Sequence, residues 1–243
     1  MEKDGIISKS TSIYISPAFL ILKKNGDLRM VVDYRKINEA TVKINYPLPS
    51  IHYYLTQLEG GVIFSQIDLK NGYYQIKIKD GDRYKTAFNI LGQIYQFNRM
   101  PFGLCNAPRT FQRAMNDILS DLDYVKVFLD DILIHSKSTQ EHEAHLREVI
   151  ERLHQNNIGI NMEKFSFGKK QVQYLGHIIL KDGIKANIEK MQQFTIPEIK
   201  SKKDIQKLTG LINWFRPFIK DLSTRLGPVY DKLSEENITW GEK

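Results

Sequence analysis

Three aspartates stand where a folding chain has least use for them. Asp130 and Asp131 lie side by side between two apolar runs, Tyr124 to Phe128 and Ile132 to Ile134, and Asp68 closes a third run that begins at Val62. An ionised carboxylate among apolar strands is costly unless it is exposed, paired or bound to a metal. For one acid at a strand end a solvated turn is the plainer reading; three such acids ask for more. Converging carboxylates are the donors that a pair of divalent cations needs, and hard oxygen ligands favour Mg²⁺ over softer metals. Two ions about 3.5 to 4 Å apart can stabilise both the attacking and the leaving oxygen of a phosphoryl displacement. Spacing alone does not bring Asp68 to the Asp130-Asp131 pair.

The elements that must carry these acids are short strands punctuated by turns in the first half of the chain. Ser16 to Lys24 and Leu28 to Tyr34 flank Asn25-Gly26, a strong hairpin signal. Val62 to Asp68, Tyr73 to Ile78, and the KTAFNI and QIYQFN segments around Leu91-Gly92 continue the strand pattern, so a largely antiparallel sheet is expected. After Asn106-Ala107-Pro108, a cap followed by a first-turn proline, Phe111, Met115, Ile118, Leu119 and Leu122 mark one face of a helix ending near Asp121 to Asp123. A second helix spans about Thr139 to Asn157. VQYLGHIIL and the Asp182-Gly183 turn form a further hairpin, and beyond Lys185 the pattern becomes helical. Ile188, Met191 and Phe194 come before Pro197, and Ser201 and Asp204 form a capping box ahead of Ile205, Leu208, Leu211 and Ile212. The fold class is α+β, with a helical C-terminal unit.

With 243 residues, 42% hydrophobic and 26% charged, the chain can bury a core and is neither disordered nor fibrous. No run approaches the roughly 18 apolar residues of a membrane span, so no membrane partner is expected. The single cysteine, Cys105, can form no internal disulfide, which with the acidic N-terminus makes an intracellular location the default. The net charge of +7 favours a polyanionic partner, and since there is no basic tail that partner must lie along a folded surface.

The ordered motifs LRMVVDYRKIN, YPLPSI, FSQIDLKNGYYQI, KTAF, MPFGLCNAPRTFQRAMN, VFLDDILIHS, HEAHL, YLGHII and GLINWFRPFI run over nearly the whole chain. In these motifs the sequence resembles the reverse transcriptases of gypsy-type long-terminal-repeat retrotransposons. The resemblance implies a right-hand polymerase fold: fingers at 1–44 and 76–106, palm at 45–75 and 107–184, thumb at 185–243, and no ribonuclease H domain. It implies that Asp68, Asp130 and Asp131, with the carbonyl of Leu69, hold two Mg²⁺ ions, for which Mn²⁺ could substitute. Lys23 and Arg29 would clamp a triphosphate, Tyr73 would lie beneath the nucleotide sugar as a steric gate, and Phe102 and Gly103 would pack against the incoming nucleotide. Phe128, standing where the signature usually has Tyr, would join Tyr174, Leu175 and Gly176 at the primer grip, and Lys164 would be sought as the proton donor to pyrophosphate.

Taken alone, these positions read as a core aromatic (Tyr73), solvated hairpin charges (Lys23, Arg29), a tight loop (Phe102-Gly103) and ordinary strand packing (Tyr174). Other signals are weaker. His142, Glu143 and His145 lack the spacing of a metal-binding HExxH helix and read as a solvated face, and the aromatics from Trp214 to Phe218 read as the core of a small helical unit. The leading reading is an RNA-directed DNA polymerase extending a DNA primer on an RNA or DNA template. It would bind an RNA/DNA hybrid and deoxynucleoside triphosphates, as a dimer or within a larger Pol polyprotein, in cytoplasmic virus-like particles or the nucleus. The competing reading is a catalytically weak or domesticated module that grips hybrid or serves as a structural subunit; three costly carboxylates argue against it.

Overall fold

The computed structural model describes residues 1–22, 26–58, 60–187 and 198–234, with the side chain of His52 excepted. The expected Lys23, the Asn25 turn position and the helix over Ile188 to Phe194 lie outside the described residues. The chain divides into two compact units, Met1–Lys170 and Gln171–Lys243. The strands between residues 171 and 186 therefore group with the helices that follow them.

The first unit contains two sheets. A five-stranded sheet has β1 (Ile7–Lys9), β2 (Ser16–Leu22), β3 (Leu28–Val32), β5 (Phe88–Ile90) and β6 (Gln93–Phe97) in the order β1-β6-β5-β2-β3. Its pairings are antiparallel except β2 with β5, which is parallel. Leu91 and Gly92 both take positive φ, 52° and 77°, the two-residue turn whose twist suits a tight hairpin. Tyr34, Phe88 and Phe97 fill the core of this sheet. Farther along, β2 and β3 leave that core as a ribbon with apolar residues exposed on both faces, Phe19 at 48%, Leu20 at 45%, Ile21 at 48% and Leu22 at 68%.

The second sheet, in the order β7-β8-β4-β9, is made of β4 (Ile63–Asp68), β7 (Val125–Phe128), β8 (Asp131–Ser136) and β9 (Ser166–Lys169). All its pairings are antiparallel. Two helices cover one of its faces, α3 (Ala107–Leu119) and α4 (Thr139–Gln155); α1 (Arg35–Ala40) and α2 (Ile51–Thr56) are single short turns that the sequence pattern did not reveal. Pro108 occupies the first turn of α3, where its missing N–H goes unneeded, and the Ser138 hydroxyl accepts the Glu141 N–H to cap α4. Ile67, Val125, Val127, Ile132 and Ile134 meet Phe111, Met115, Leu119, Leu146, Val149 and Leu153 in one continuous core.

One feature of that packing corrects the sequence reading. His142 is 1% exposed, because it falls on the same helical stripe as Leu146, Val149 and Leu153. Its Nε2 lies 2.7 Å from Ser65 Oγ in β4 and its Nδ1 2.8 Å from Ser136 Oγ in β8, while Ser136 Oγ also lies 2.9 Å from His145 Nδ1. The helix is thus bolted to the sheet by a buried polar group with both ring nitrogens engaged, and only Glu143 of the expected triplet is on the solvated face. The expected strand over Tyr73 to Ile78 is also absent. Asn71 and Gly72 take positive φ, 61° and 46°, and turn the chain into a 3₁₀ turn, Gly72–Gln75, before strand pairing can begin.

In the second unit β10 (Gln171–Tyr174), β11 (His177–Leu180) and β12 (Gly183–Ala186) form an antiparallel meander. VQYLGHIIL is therefore two strands joined by Leu175-Gly176, both at positive φ. Helix α5 (Lys202–Trp214) begins at Ser201, whose hydroxyl accepts the Asp204 N–H, as the capping box implied. Helix α6 (Leu222–Asp231), which had no clear sequence signal, follows.

Burial holds His135 and His142 below the usual imidazole range, His135 at about 4, with Lys126 adding to the effect on His135 and His145 to that on His142. Both rings protonate more readily once unfolded, so the unfolded chain binds more protons as pH falls, for His135 between about 6.5 and 4 and for His142 in the same direction. Stability is expected to fall over that window, by at most about 1.4 kcal/mol per pH unit for each group. Thermal midpoints between pH 7 and 5 test this: His135→Gln should flatten the slope, and an equally steep slope in that variant would exclude His135 as its source.

Candidate active site

The register of β4 and β8 brings the acids together. Asp68 pairs directly with Asp131, and Ile67 with Ile132; on the other side of β8, Phe128 pairs with Asp131 and Val127 with Ile132. Side chains alternate along a strand. Because Ile67, Val127 and Ile132 face the helices, Asp68, Phe128 and Asp131 face the opposite side. Asp130 sits in the two-residue turn between β7 and β8, exposed, and the Leu69 N–H donates to its carbonyl at 3.2 Å.

The carboxylates feel one another. Asp131 is pushed above the usual carboxylate range, first by burial and then by the charges of Asp130 and Asp68. Among the described residues no three of His, Cys, Asp and Glu already form a closed metal-ligand cluster. What the sheet end does present is a set of hard oxygen donors whose mutual repulsion a divalent cation would relieve, so the residues fit such an ion. Lys164 is a cation the chain itself supplies to them, with Nζ 3.2 Å from Asp68 Oδ2, and Asn161 Nδ2 lies 3.4 Å from Asp68 Oδ1.

A second cluster adjoins the acids. A Cβ placed on Gly72 would sit 3.6 Å from the Phe102 ring and 3.8 Å from Asp130 Oδ2, so the missing side chain lets the turn pass close to both. Tyr73 packs against Phe102 at 4.9 Å and edge-on to buried Phe111 at 5.4 Å between ring centroids. Burial and the Asp130 charge together raise its phenol pKa. The Arg29 guanidinium stands 5.7 Å from the Phe102 ring centroid. Arg29, Phe102 and Gly103 line an open cleft of about 700 Å³ together with Met1, Asp4 and Asn71. Asp68, Asp130, Asp131, Lys164, Tyr73, Phe102, Gly103 and Arg29 thus form one connected neighbourhood. Tyr174, Leu175 and Gly176 belong to the second unit. There the Tyr174 ring is fully buried, and the Leu175-Gly176 turn that follows it is half-buried.

Sequence reasoning missed the residue that holds the acid-bearing turn. Leu129 takes φ 55°, a conformation natural to glycine and costly for leucine. Its N–H donates to Gln112 Oε1 at 2.8 Å, and Gln112 Nε2 donates to the carbonyl of Val127 at 2.8 Å and to Asn116 Oδ1 at 2.9 Å. Gln112 is fully buried. The available signal was a polar residue on the same α3 stripe as Met115 and Leu119. Replacing it by methionine, of similar shape, would leave the Leu129 N–H and the Val127 carbonyl unpaired. Gln112→Met is expected to cost about 2 to 5 kcal/mol in urea unfolding, and a cost below about 1 kcal/mol would show that the turn holds itself.

The family described as "Reverse transcriptase (RNA-dependent DNA polymerase)" matches residues 21–179. The chain is 39% identical to the retrovirus-related Pol polyprotein from transposon gypsy of Drosophila melanogaster, over 97% of this chain and 24% of that protein. It is 36% identical to a transposon Tf2 polyprotein of Schizosaccharomyces pombe, over 98% of this chain and 18% of that one. It therefore spans a quarter or less of these relatives. Among solved structures, the foamy viral protease-reverse transcriptase in complex with RNA/DNA hybrid matches with a TM-score of 0.84 at 29% identity, covering 99% of this chain and 33% of that one. The corresponding dRH form in complex with double-stranded DNA matches at 0.90, also at 29% identity, over 99% of this chain and 43% of that one. On the extent of these matches and the α+β fold they share, the chain belongs to the reverse transcriptase family.

Proposed function

We propose that the chain is the polymerase portion of an RNA-directed DNA polymerase, extending a DNA primer on an RNA or DNA template as part of a larger Pol polyprotein. The direct cross-strand pairing of Asp68 with Asp131, with Asp130 in the adjoining turn, carries this reading. In the corresponding division, fingers comprise 1–44 and 76–106, palm 45–75 and 107–184, and thumb 185–243. The expected working site is a virus-like particle in the cytoplasm, or the nucleus.

Asp68, Asp130 and Asp131, with the Leu69 carbonyl, would hold two divalent cations, Mg²⁺ by the hardness of the donors. When bound, these ions lower the pKa of the primer hydroxyl and neutralise the triphosphate and departing pyrophosphate. The protein's own groups supply the rest. Arg29, steadied over Phe102, offers a planar donor fork to phosphate oxygens at the cleft. Lys164, whose Nζ donates to Asp68 Oδ2, would pass a proton to the leaving phosphate oxygen. Tyr73, held between Phe102 and Phe111, presents a ring where the nucleotide sugar would lie, and the half-exposed Phe128 fills the hairpin next to the primer end. Hybrid would be gripped by backbone and shape with little reading of sequence.

Asp68→Asn and Asp130→Asn are each expected to abolish primer extension on an RNA template with Mg²⁺ while leaving hybrid binding equal or tighter, since the lost charge repels phosphate. Extension within about tenfold of the parent, only about 1.4 kcal/mol of barrier, would remove that residue from the metal site. Tyr73→Val should raise ribonucleotide relative to deoxyribonucleotide incorporation by a factor on the order of 10² if the lost clash is worth about 3 kcal/mol. The ratio of kcat/KM for the two sugars measures it, and an unchanged ratio would reduce Tyr73 to a packing residue.

A further inference from the structure

The strand end that bears Asp68 is closed by a strap, residues 158 to 164, returning from α4. The Lys70 N–H donates to the Gly159 carbonyl at 2.9 Å, Leu69 and Ile160 form an isolated antiparallel bridge, and the Asn161 N–H donates to the Asp68 carbonyl at 2.9 Å. The strap carries Asn161 and Lys164, whose side chains reach the two Asp68 carboxylate oxygens. On the other side of Lys70 lies the 3₁₀ turn that carries Tyr73.

One side chain ties these pieces together. Gln75, the last residue of that turn, donates from Nε2 to the carbonyls of Lys70 at 2.6 Å and Gly159 at 2.9 Å, and its Oε1 accepts the Gly159 N–H at 2.6 Å. Its own carbonyl accepts from the Arg99 guanidinium at 3.0 Å. The amide thus matches backbone groups on two segments distant in sequence, using donor and acceptor ends together. A carboxylate would keep the acceptor and lose the donors; an alkyl group would lose both. With its amide committed in this way, Gln75 acts on the site through the backbone.

We propose that Gln75 is a positioning residue that fixes the Tyr73 turn to the strap bearing Lys164, and so sets where the sugar-facing ring stands relative to Asp68. The inference rests on the polymerase reading and deepens it, making sugar selection depend on a residue that does not face the sugar. It assigns no chemistry to Gln75.

The test uses Gln75→Leu and Gln75→Glu in the full chain. Gln75 is part-exposed, so both variants are expected to fold with thermal midpoints near the parent's. Amide exchange by mass spectrometry over 158 to 164 should quicken in both. The preference for deoxyribonucleotides over ribonucleotides, as a ratio of kcat/KM, should fall about tenfold, the scale of a sub-ångström misplacement, with hybrid affinity unchanged. Faster exchange with an unchanged sugar ratio would leave Gln75 a purely structural clamp and overturn the proposal, as would unchanged exchange. A parent chain that extends no primer would defeat the polymerase reading itself, and is seen before any variant is made.

Discussion

Every feature of the site depends on the pairing register of two antiparallel strands. With Asp68 opposite Asp131, side-chain alternation sends Ile67, Ile132 and Val127 into the helix-covered core and the acids to the other face. A slip of one residue would exchange the two sets, burying carboxylates and exposing isoleucine. The apolar core beneath α3 and α4 therefore specifies the site as well as stabilising it, because the energy that favours burying Ile67 and Ile132 is the energy that holds Asp68 and Asp131 side by side.

That arrangement works against itself electrostatically. Three acids at one sheet end repel, and the leucine that turns the chain between β7 and β8 is held in a backbone state it disfavours. The surroundings answer with neutral amides and the Lys164 ammonium. Gln112 grips the turn from below, Gln75 and Asn161 hold the strap from the side, and Lys164 meets one carboxylate. Amides suit this task because they fix geometry without adding a charge that would compete for whatever the acids are meant to bind.

The acids, the strands that carry them and the two long helices were legible in the sequence because each has a local signature: apolar runs broken by Asp, 3.6-residue periodicity, Pro108 and Ser201 at helix starts. What was illegible depended on contacts between distant segments. The turn at Gly72 reads as a strand by alternation, and only the positive φ of Asn71 and Gly72 and the hydrogen bonds from Gln75 to Gly159 make it otherwise. His142 reads as polar surface until α4 is laid on the sheet and the stripe that includes it turns inward. The proximity of Asp68 to Asp130 came from family resemblance, since nothing local dictates which strands pair.

The β2–β3 ribbon is apolar on both faces, and β3 ends its sheet, so its outer edge has no strand partner among the described residues. Natural sheets usually guard such an edge with charge, proline or a bulge. Within β3 the one such guard is the charge of Arg29, with neither a proline nor a bulge beside it. A strand added along that edge by a second molecule would have to lie beside the Arg29 guanidinium, which makes this residue a guard of the sheet as well as a neighbour of the cleft.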